Sequence, residues 1–434
     1  MGASDISRTL DAIWRMESPR LIAGLVRIVR DVGRAEELAQ DAFVAALEQW
    51  PTGGVPDNPG AWLMTAAKRR GIDEVRRDKL RERKHEEIGR GLETRQGRQE
   101  EAPDVVAVNA ALDGDVGDDL LRLMFMTCHP ALPTEARVAL TLRLLGGLAT
   151  AEIARAFLAP EATIAQRIVR AKKTLAEKNV PFEVPHGAEL AERLASVLEV
   201  IYLIFNEGYT ATAGADWTRP ALCEDALRLA RVLAELSPQE PEVHGLVALL
   251  EIQASRLRAR IGTDGAPVLL LDQNRAKWDR LLIGRGLSAL ARAERLGGAR
   301  GPYALQGAIA ACHARAATAE ATDWARIAAL YRELVERIPS PVVELNRAVA
   351  VAMADGPQAG LDIVDGLADE PMLENYHLFP AVRGDFLLKL GRHDEAREEF
   401  ERAAGLTRNE RERDLLLGRA REAEERAKGP DSAP

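Results

Sequence analysis

From Ala35 to Leu47 the apolar residues fall at intervals of three and one: Ala35, Leu38, Ala39, Ala42, Phe43, Ala46, Leu47. This spacing limits the fold more than any other feature of the chain. It draws one continuous stripe along a helix of 3.6 residues per turn and cannot alternate across a strand. Variations of it recur to about residue 426, broken by Pro, Gly and Asp, and no convincing run of period-two alternation interrupts them. Aromatic residues are only 4% of the chain while Ala, Leu, Arg and Glu recur throughout, which favours helix over sheet. The expected fold class is all-α. At 434 residues the chain exceeds one compact core, so several domains are expected.

The segment 148–178, LATAEIARAFLAPEATIAQRIVRAKKTLAEK, has the sharpest local pattern. A short helix over roughly 151–157 turns Ile153, Ala154 and Phe157 inward, and Ala159–Pro160 ends it. Pro160 is expected at the first position of the next helix. There Ile164, Ile168, Ala171 and Leu175 fall at i, i+4, i+7 and i+11, one buried stripe. Thr163, Gln166, Arg167, Arg170 and Lys173 fall on the other side. Short polar groups and Arg early in a helix suit base edges of the major groove, and later cations suit phosphates. On its residues alone the segment also fits an amphipathic hairpin with a solvated basic face.

The acidic side of the 35–47 helix carries Glu36, Glu37, Gln40, Asp41 and Glu48. The loop PTGGVPDNPG (51–60) follows, in which Asn58 is a good helix N-cap and Pro59 a good first helical residue. The next helix is strongly basic: Lys68 to Lys84 holds nine basic residues, among them Arg69, Arg70, Arg76 and Arg77, against four acidic ones. Net charge is −9 overall, but residues 1–180 are neutral, and the excess of acid lies in the remainder. A local basic patch suffices for phosphate binding whatever the global sum.

Together these segments resemble the extracytoplasmic-function sigma factors. Gly147, Leu148, Glu152, Ile153, Ala154, Pro160, Glu161, Thr163, Ile164, Arg167, Arg170, Ala171 and Leu175 match the region 4 pattern. The run A-E-E-L-x-Q-D-x-F at 35–43 looks like region 2.2. Trp62, Leu63, Ile72, Asp73, Arg76 and Arg77 look like regions 2.3 and 2.4. The resemblance implies that Glu36, Glu37, Gln40 and Asp41 dock on the clamp of the RNA polymerase largest subunit. It implies that Asn58, Lys68, Arg69, Arg70, Arg76 and Arg77 take the melted −10 element, and Thr163, Gln166, Arg167, Arg170 and Lys173 the −35 element of promoter DNA. Three positions depart from the pattern: Arg69 stands where many members have Asn, Ala149 where Ser is usual, and Leu158 where a turn Gly is common. With Ala149, either Thr150 caps the helix or the cap is lost. With Leu158, either the turn changes or Leu takes a positive φ.

The expected organisation is a region 2 unit at 1–84, a charged and Gly-rich flexible linker at 85–117, a region 4 unit at 118–180, a helical extension at 181–427 and a disordered tail at 428–434. In the extension Gly384, Gly391, Ala396, Phe400 and Ala403 sit where the tetratricopeptide pattern has small and aromatic residues, and Gly356 precedes Gly391 by 35 residues. Ala226, Ala230, Leu233, Leu236 and Pro238 fit a further repeat. The stretches YLIFNEGY (202–209), DQNRAKWD (272–279) and GPYALQGAIAA (301–311) extend the resemblance to the sigma subgroup with a tetratricopeptide-like extension. In that subgroup the extension is thought to regulate activity in cis, here by touching the DNA-binding half or docking a partner in its groove.

No enzyme is expected: the chain has no HExxH, Walker or G-x-S-x-G motif, and Cys128, Cys223 and Cys312 fit no metal or redox spacing. No catalytic residue, cofactor or metal is expected. The N-terminus lacks the apolar core of a signal peptide, and no run reaches the ~18 apolar residues of a membrane span, so the expected location is cytoplasmic. Two rival readings stand beside the sigma factor: a one-component helix-turn-helix regulator with a ligand- or partner-sensing domain, and a repeat scaffold.

Overall fold

The computed structural model describes residues 3–72, 116–157, 159–263 and 265–428. Most of the expected linker, together with Asp73, Arg76, Arg77, Leu158 and the last six residues, lies outside this set. The chain divides into two compact units, Met1–Val200 and Ile201–Pro434.

The first unit opens with α1 (Ala3–Val29), α2 (Val32–Gly53) and α3 (59–72). The Asp31 carboxylate accepts from Arg34 N at 2.8 Å and caps α2. The buried face of α2 is Val32, Ala35, Leu38, Ala39, Ala42, Ala45, Ala46 and Trp50. That face corrects the stripe expected from sequence. Phe43 is only half-buried, against Trp14 at 4.9 Å between ring centroids, and Leu47 is 44% exposed. A three-and-one rhythm repeats every four residues, about 400° of helix at roughly 100° per residue. It therefore drifts by about 40° per repeat and has left the core face by Leu47. Ala45 and Trp50 take over the buried positions.

Next come α4 (Val116–Thr127), α5 (Thr134–Leu144), α6 (Thr150–Ala156), α7 (Glu161–Glu177) and α8 (Ala188–Tyr209). Helix α4 starts two residues inside the expected linker and packs on α1. There the buried Asp119 carboxylate meets Arg27 at 3.5 Å and Arg122 at 2.7 Å. Helix α7 lies against both α5 and α6. The start of α8 is tied to the α4–α5 corner. Arg193 donates to Phe125 O at 2.9 Å, Ser196 to Cys128 O at 2.5 Å, and Arg137 to Ser196 Oγ and Glu199 at 2.5 and 3.0 Å. These bonds put the unit boundary within α8, about twenty residues beyond the division that Pro181 and Pro185 suggest.

The second unit continues with α9 (Pro220–Leu236), α10 (Pro241–Ala254), α11 (Arg280–Arg295), α12 (Pro302–Arg315), α13 (Trp324–Arg337), α14 (Pro341–Asp355), α15 (Pro357–Asp365), α16 (Leu378–Lys389), α17 (His393–Leu406) and α18 (Glu410–Lys428). Pro opens α9, α10, α12, α14 and α15, where its missing N–H costs nothing. From α13 to α18 each helix packs on the next, as a helical-repeat extension requires. Small residues set the spacing. A Cβ on Gly384 would meet the Phe400 ring at 3.1 Å and Ala396 O at 3.2 Å, and one on Gly245 would meet Ala304 N at 2.6 Å. Gly356 (φ +103°) and Gly391 (φ +76°) turn the chain between helices.

A short strand pairing departs from an all-helical reading, beside an isolated antiparallel bridge between Ile261 and Pro267. The two-residue strands β1 (Ala213–Gly214) and β2 (Arg408–Asn409) pair in parallel. The fully buried Asn409 donates to Ala211 O and Asp216 O at 3.0 and 2.9 Å and accepts from Glu412 N. Among the described residues no helix is long and apolar enough to cross a membrane.

Two glycines of helices in this unit predict opposite outcomes. Gly245→Ala drives a methyl into the backbone of α12 and is expected to lower unfolding free energy by about 1–3 kcal/mol. Gly284→Ala, in α11 with open space around it, is expected to raise it by about 0.5–1 kcal/mol. Chemical denaturation midpoints of the two variants check both signs.

Candidate nucleic-acid interface

Helix α7 is held by Ile164, Ile168, Ala171 and Leu175, all buried as the spacing predicts. Its open side then carries Gln166, Arg170 and Lys173 exposed, with Thr163 and Arg167 half-exposed. From Thr163 to Lys173 the helix rises about 15 Å, at 1.5 Å per residue, a length suited to lying along a groove. Lys173 reaches Glu177 at 3.5 Å on the surface, a contact that costs little to give up. Pro160 is the N-cap residue of α7, one position before the expected first helical place.

The entrance to α6 resolves the question raised by Ala149. Ala149 holds the N-cap position, Thr150 is the first helical residue, and no side chain caps the helix from the N-cap. Glu152 supplies the reciprocal contact, its Oε2 accepting from Ala149 N at 2.8 Å. Its other oxygen accepts from Arg15 of α1 at 2.5 Å. The turn before α6 passes close to α1. Gly147 has φ +70°, and a Cβ there would lie 3.2 Å from Arg15 Cα.

The second cationic surface lies on α3. Asn58, on an exposed loop, accepts from Ala61 N through Oδ1 at 3.0 Å, so its oxygen serves the cap of α3. Lys68 is half-exposed, and Arg69 and Arg70 are exposed. Arg70 lies 3.8 Å from Asp41. The sites proposed at Arg76 and Arg77 fall outside the described residues.

The acidic face of α2 is not uniform. Glu37 and Asp41 are exposed and Gln40 half-exposed, but Glu36 is only 3% exposed. Arg143 of α5 donates to Glu36 Oε1 at 2.6 Å, Lys172 of α7 pairs with Oε2, and Gln40 Nε2 donates to Oε1 at 2.9 Å. Sequence reading places Glu36 with its three neighbours and misses Arg143, Lys172 and Arg15. Lys172 adjoins the buried Ala171 at the edge of the stripe, which marks it as half-covered. No local pattern names its partner 136 residues away.

The three thiols are held toward the protonated form. Burial raises the pKa of Cys128, of Cys223 (to about 12) and of Cys312. Among the described residues no cluster of three or more His, Cys, Asp or Glu side chains has metal-binding geometry.

Residues 13–81 match the family described as Sigma-70 region 2, and residues 122–175 the family described as Sigma-70, region 4. Residues 193–294 match a family of unknown function, DUF6596. The chain is 45% identical over 393 residues to an uncharacterized protein, R00370, of Rhizobium meliloti, with 90% of each chain covered. It is 34% identical over 154 residues to the ECF RNA polymerase sigma factor SigK of Mycobacterium ulcerans, covering 34% of this chain and 73% of that one. Among solved structures, yeast Tom70 aligns over 93% of this chain and 82% of its own, with a TM-score of 0.38 and 12% identity, too weak a likeness to place the fold.

Replacing Glu36 tests whether it holds α2 to α5 and α7. Arg143 and Lys172 each keep about a fifth of their side-chain surface in water. Glu36→Ala is therefore expected to cost about 1–3 kcal/mol, less than a fully buried pair would lose. The amides of α7 should exchange with solvent about ten-fold faster or more. Unchanged exchange would mean that the carboxylate does not hold the helices together.

Proposed function

Since the chain belongs to the ECF RNA polymerase sigma factors, we propose that it gives core polymerase its promoter choice by dividing the work between the two ends of its first unit. Helix α7 reads the −35 element, with Thr163, Gln166 and Arg167 at base edges and Arg170 and Lys173 on phosphates. The loop before α3 takes an unstacked base of the −10 element, and Lys68, Arg69 and Arg70 follow the strand, joined by Arg76 and Arg77. Glu37, Gln40 and Asp41 face the clamp of the largest polymerase subunit, where acids and a Gln suit a basic partner. The protein acts in the cytoplasm, where polymerase and promoter are.

The observation that carries this reading is the two-sidedness of α7. One side is fixed by four apolar residues, leaving Gln166, Arg167, Arg170 and Lys173 on the other with, among the described residues, a single surface ion pair. A helix-turn-helix regulator would use the same helix. The match of residues 13–81 to Sigma-70 region 2 favours the sigma reading, because such a regulator needs no polymerase-docking module.

Glu36 has a special place in this scheme. Docking of the α2 face on polymerase offers its carboxylate new cations, in competition with Arg143 and Lys172. The second unit regulates the first, either in cis by acting on this equilibrium or through a partner that it docks. A chain cut for study should end after Tyr209, because removing α8 would strip the α4–α5 corner of its bonds to Arg193 and Ser196.

Two measurements test the proposal. Arg167→Ala and Arg170→Ala should each lower run-off transcription by about ten-fold or more, at 1–3 kcal/mol per lost DNA contact. Both should still co-purify with core polymerase; loss of core binding instead would place these residues on the wrong partner. For regulation, a chain ending after Tyr209 should initiate at a rate different from that of the full chain at equal core occupancy. Equal rates would remove the role of the extension.

A further inference from the structure

Three stretches of the second unit are unused by the sigma chemistry: 202–209, 272–279 and 301–311. They meet around one group of guanidinium ions. Tyr202 stands edge-on to Tyr303 at 5.7 Å and donates to Gln306 Oε1 at 3.3 Å. Both rings pack on the cluster that holds Trp278. Arg260 lies over the Tyr209 ring at 3.7 Å, Arg275 over Trp278 at 4.8 Å, and Arg256 between them, 5.9 Å from Tyr209 and 5.7 Å from Trp278.

The cluster is rich in charge and poor in acids. Arg256 is 7% exposed and Arg275 9%. Arg275 donates to His313 O, Ala316 O and Thr322 Oγ1, Arg260 to Tyr209 O and Thr210 Oγ1, and Arg256 to Gln253 Oε1. Every one of these acceptors is neutral. Among the described residues none of the three guanidiniums forms a salt bridge; one acid, the exposed Glu320, acts on Arg275 through space. Two acids close in sequence are engaged elsewhere, Glu207 with Arg219 and Glu251 with Arg231. Aromatic faces soften the charge of a guanidinium but do not cancel it. Cations buried without counter-charge are costly and call for an anion.

Hydrogen bonding shows the same deficit. Arg256 Nε, Arg260 Nε, Trp278 Nε1, Tyr209 Oη, His313 Nδ1 and Gln273 Oε1 are all buried and without a partner. The first three only donate, and Gln273 Oε1 only accepts. Donors therefore exceed acceptors where positive charge is also in excess. His313 adds no further cation: burial, then Arg256 and Arg275, lower its pKa to about 4, and it is neutral at pH 7. Buried water can satisfy donors but supplies no negative charge.

We propose that Arg256, Arg260 and Arg275, with Tyr209 and Trp278, form a binding site for a small oxyanion, a phosphate or carboxylate group, within the second unit. An oxyanion matches both deficits, offering several strong acceptors and a negative charge to a guanidinium fork.

The test uses the full chain and needs neither polymerase nor promoter, so it stands apart from the proposal above. Thermal unfolding and calorimetric titration are run with inorganic phosphate and with succinate, each against sodium chloride at equal ionic strength. One of the two oxyanions should raise the melting temperature by a few degrees, saturably, where chloride does not, and which one does so separates the two sources of the group. Phosphate can also bind the basic face of α7, so Arg170→Ala serves as a control and should keep the effect. Arg256→Gln should weaken binding by about ten-fold or more, the loss expected for a hydrogen bond to a charged group. Should that variant fail to fold, Tyr209→Phe removes one unpartnered hydroxyl and should weaken binding several-fold. The proposal is overturned if neither oxyanion exceeds chloride, or if the effect survives in the folded variants and disappears in Arg170→Ala.

Discussion

A carboxylate out of contact with water is costly unless cations or hydrogen-bond donors take the place of solvent. Glu36 meets that condition twice, with Arg143 from α5 on one oxygen and Lys172 from α7 on the other. One side chain of α2 thereby fixes the positions of two helices far along the chain. The remaining contacts of the first unit follow the same line. Arg15 of α1 reaches Glu152 at the start of α6, Gly147 passes against Arg15 in a conformation that a side chain would strain, and Asp119 of α4 lies between Arg27 and Arg122. The helix-turn-helix is thus mounted on the first two helices by charge, while apolar stripes hold its own helices together.

This arrangement has a consequence for a protein that must meet two partners. The acidic face of α2 and the back of α7 share one carboxylate. Anything that binds Glu36 from outside has to do better than two internal cations and Gln40 together. Exposed Glu37 lies outside this network, and exposed Asp41 gives up only a surface pair with Arg70, which costs little. The face therefore has an open part and a covered part, and engaging the covered part changes the footing of α7.

Much of this was legible in the sequence where the signal is local. The stripe Ile164, Ile168, Ala171, Leu175 has spacings near the helical period and lies buried as expected. The Asn58 cap and the Pro-led helices follow from single residue types. The α2 stripe was read less well because a strict four-residue rhythm overruns the helical turn, which left Leu47 in solvent and brought Ala45 inward. Local pattern also placed Glu36 beside Glu37 and Asp41, since nothing within a few residues of it foretells Arg143 or Lys172. Asn409 shows the same limit. It clasps Ala211 and Asp216 about two hundred residues away, and no two-residue strand leaves an alternating trace.

Bulk charge was an equally poor guide to where charge acts. The first 180 residues are neutral yet carry two cationic helix faces. The rest is strongly acidic, yet it holds three arginines that form no salt bridge among the described residues. Glu36 and the arginine cluster are therefore opposite cases of one rule. Around Glu36 the chain supplies counter-charge from its own distant segments, and the result is a closed internal contact. Around Arg256 the nearby acids are drawn to Arg219 and Arg231 instead, and the aromatic rings that hold the guanidiniums in place add no charge. A buried charge that the chain neutralises itself serves folding. One that the chain has positioned, packed with rings and left without a salt bridge calls for an anion from outside.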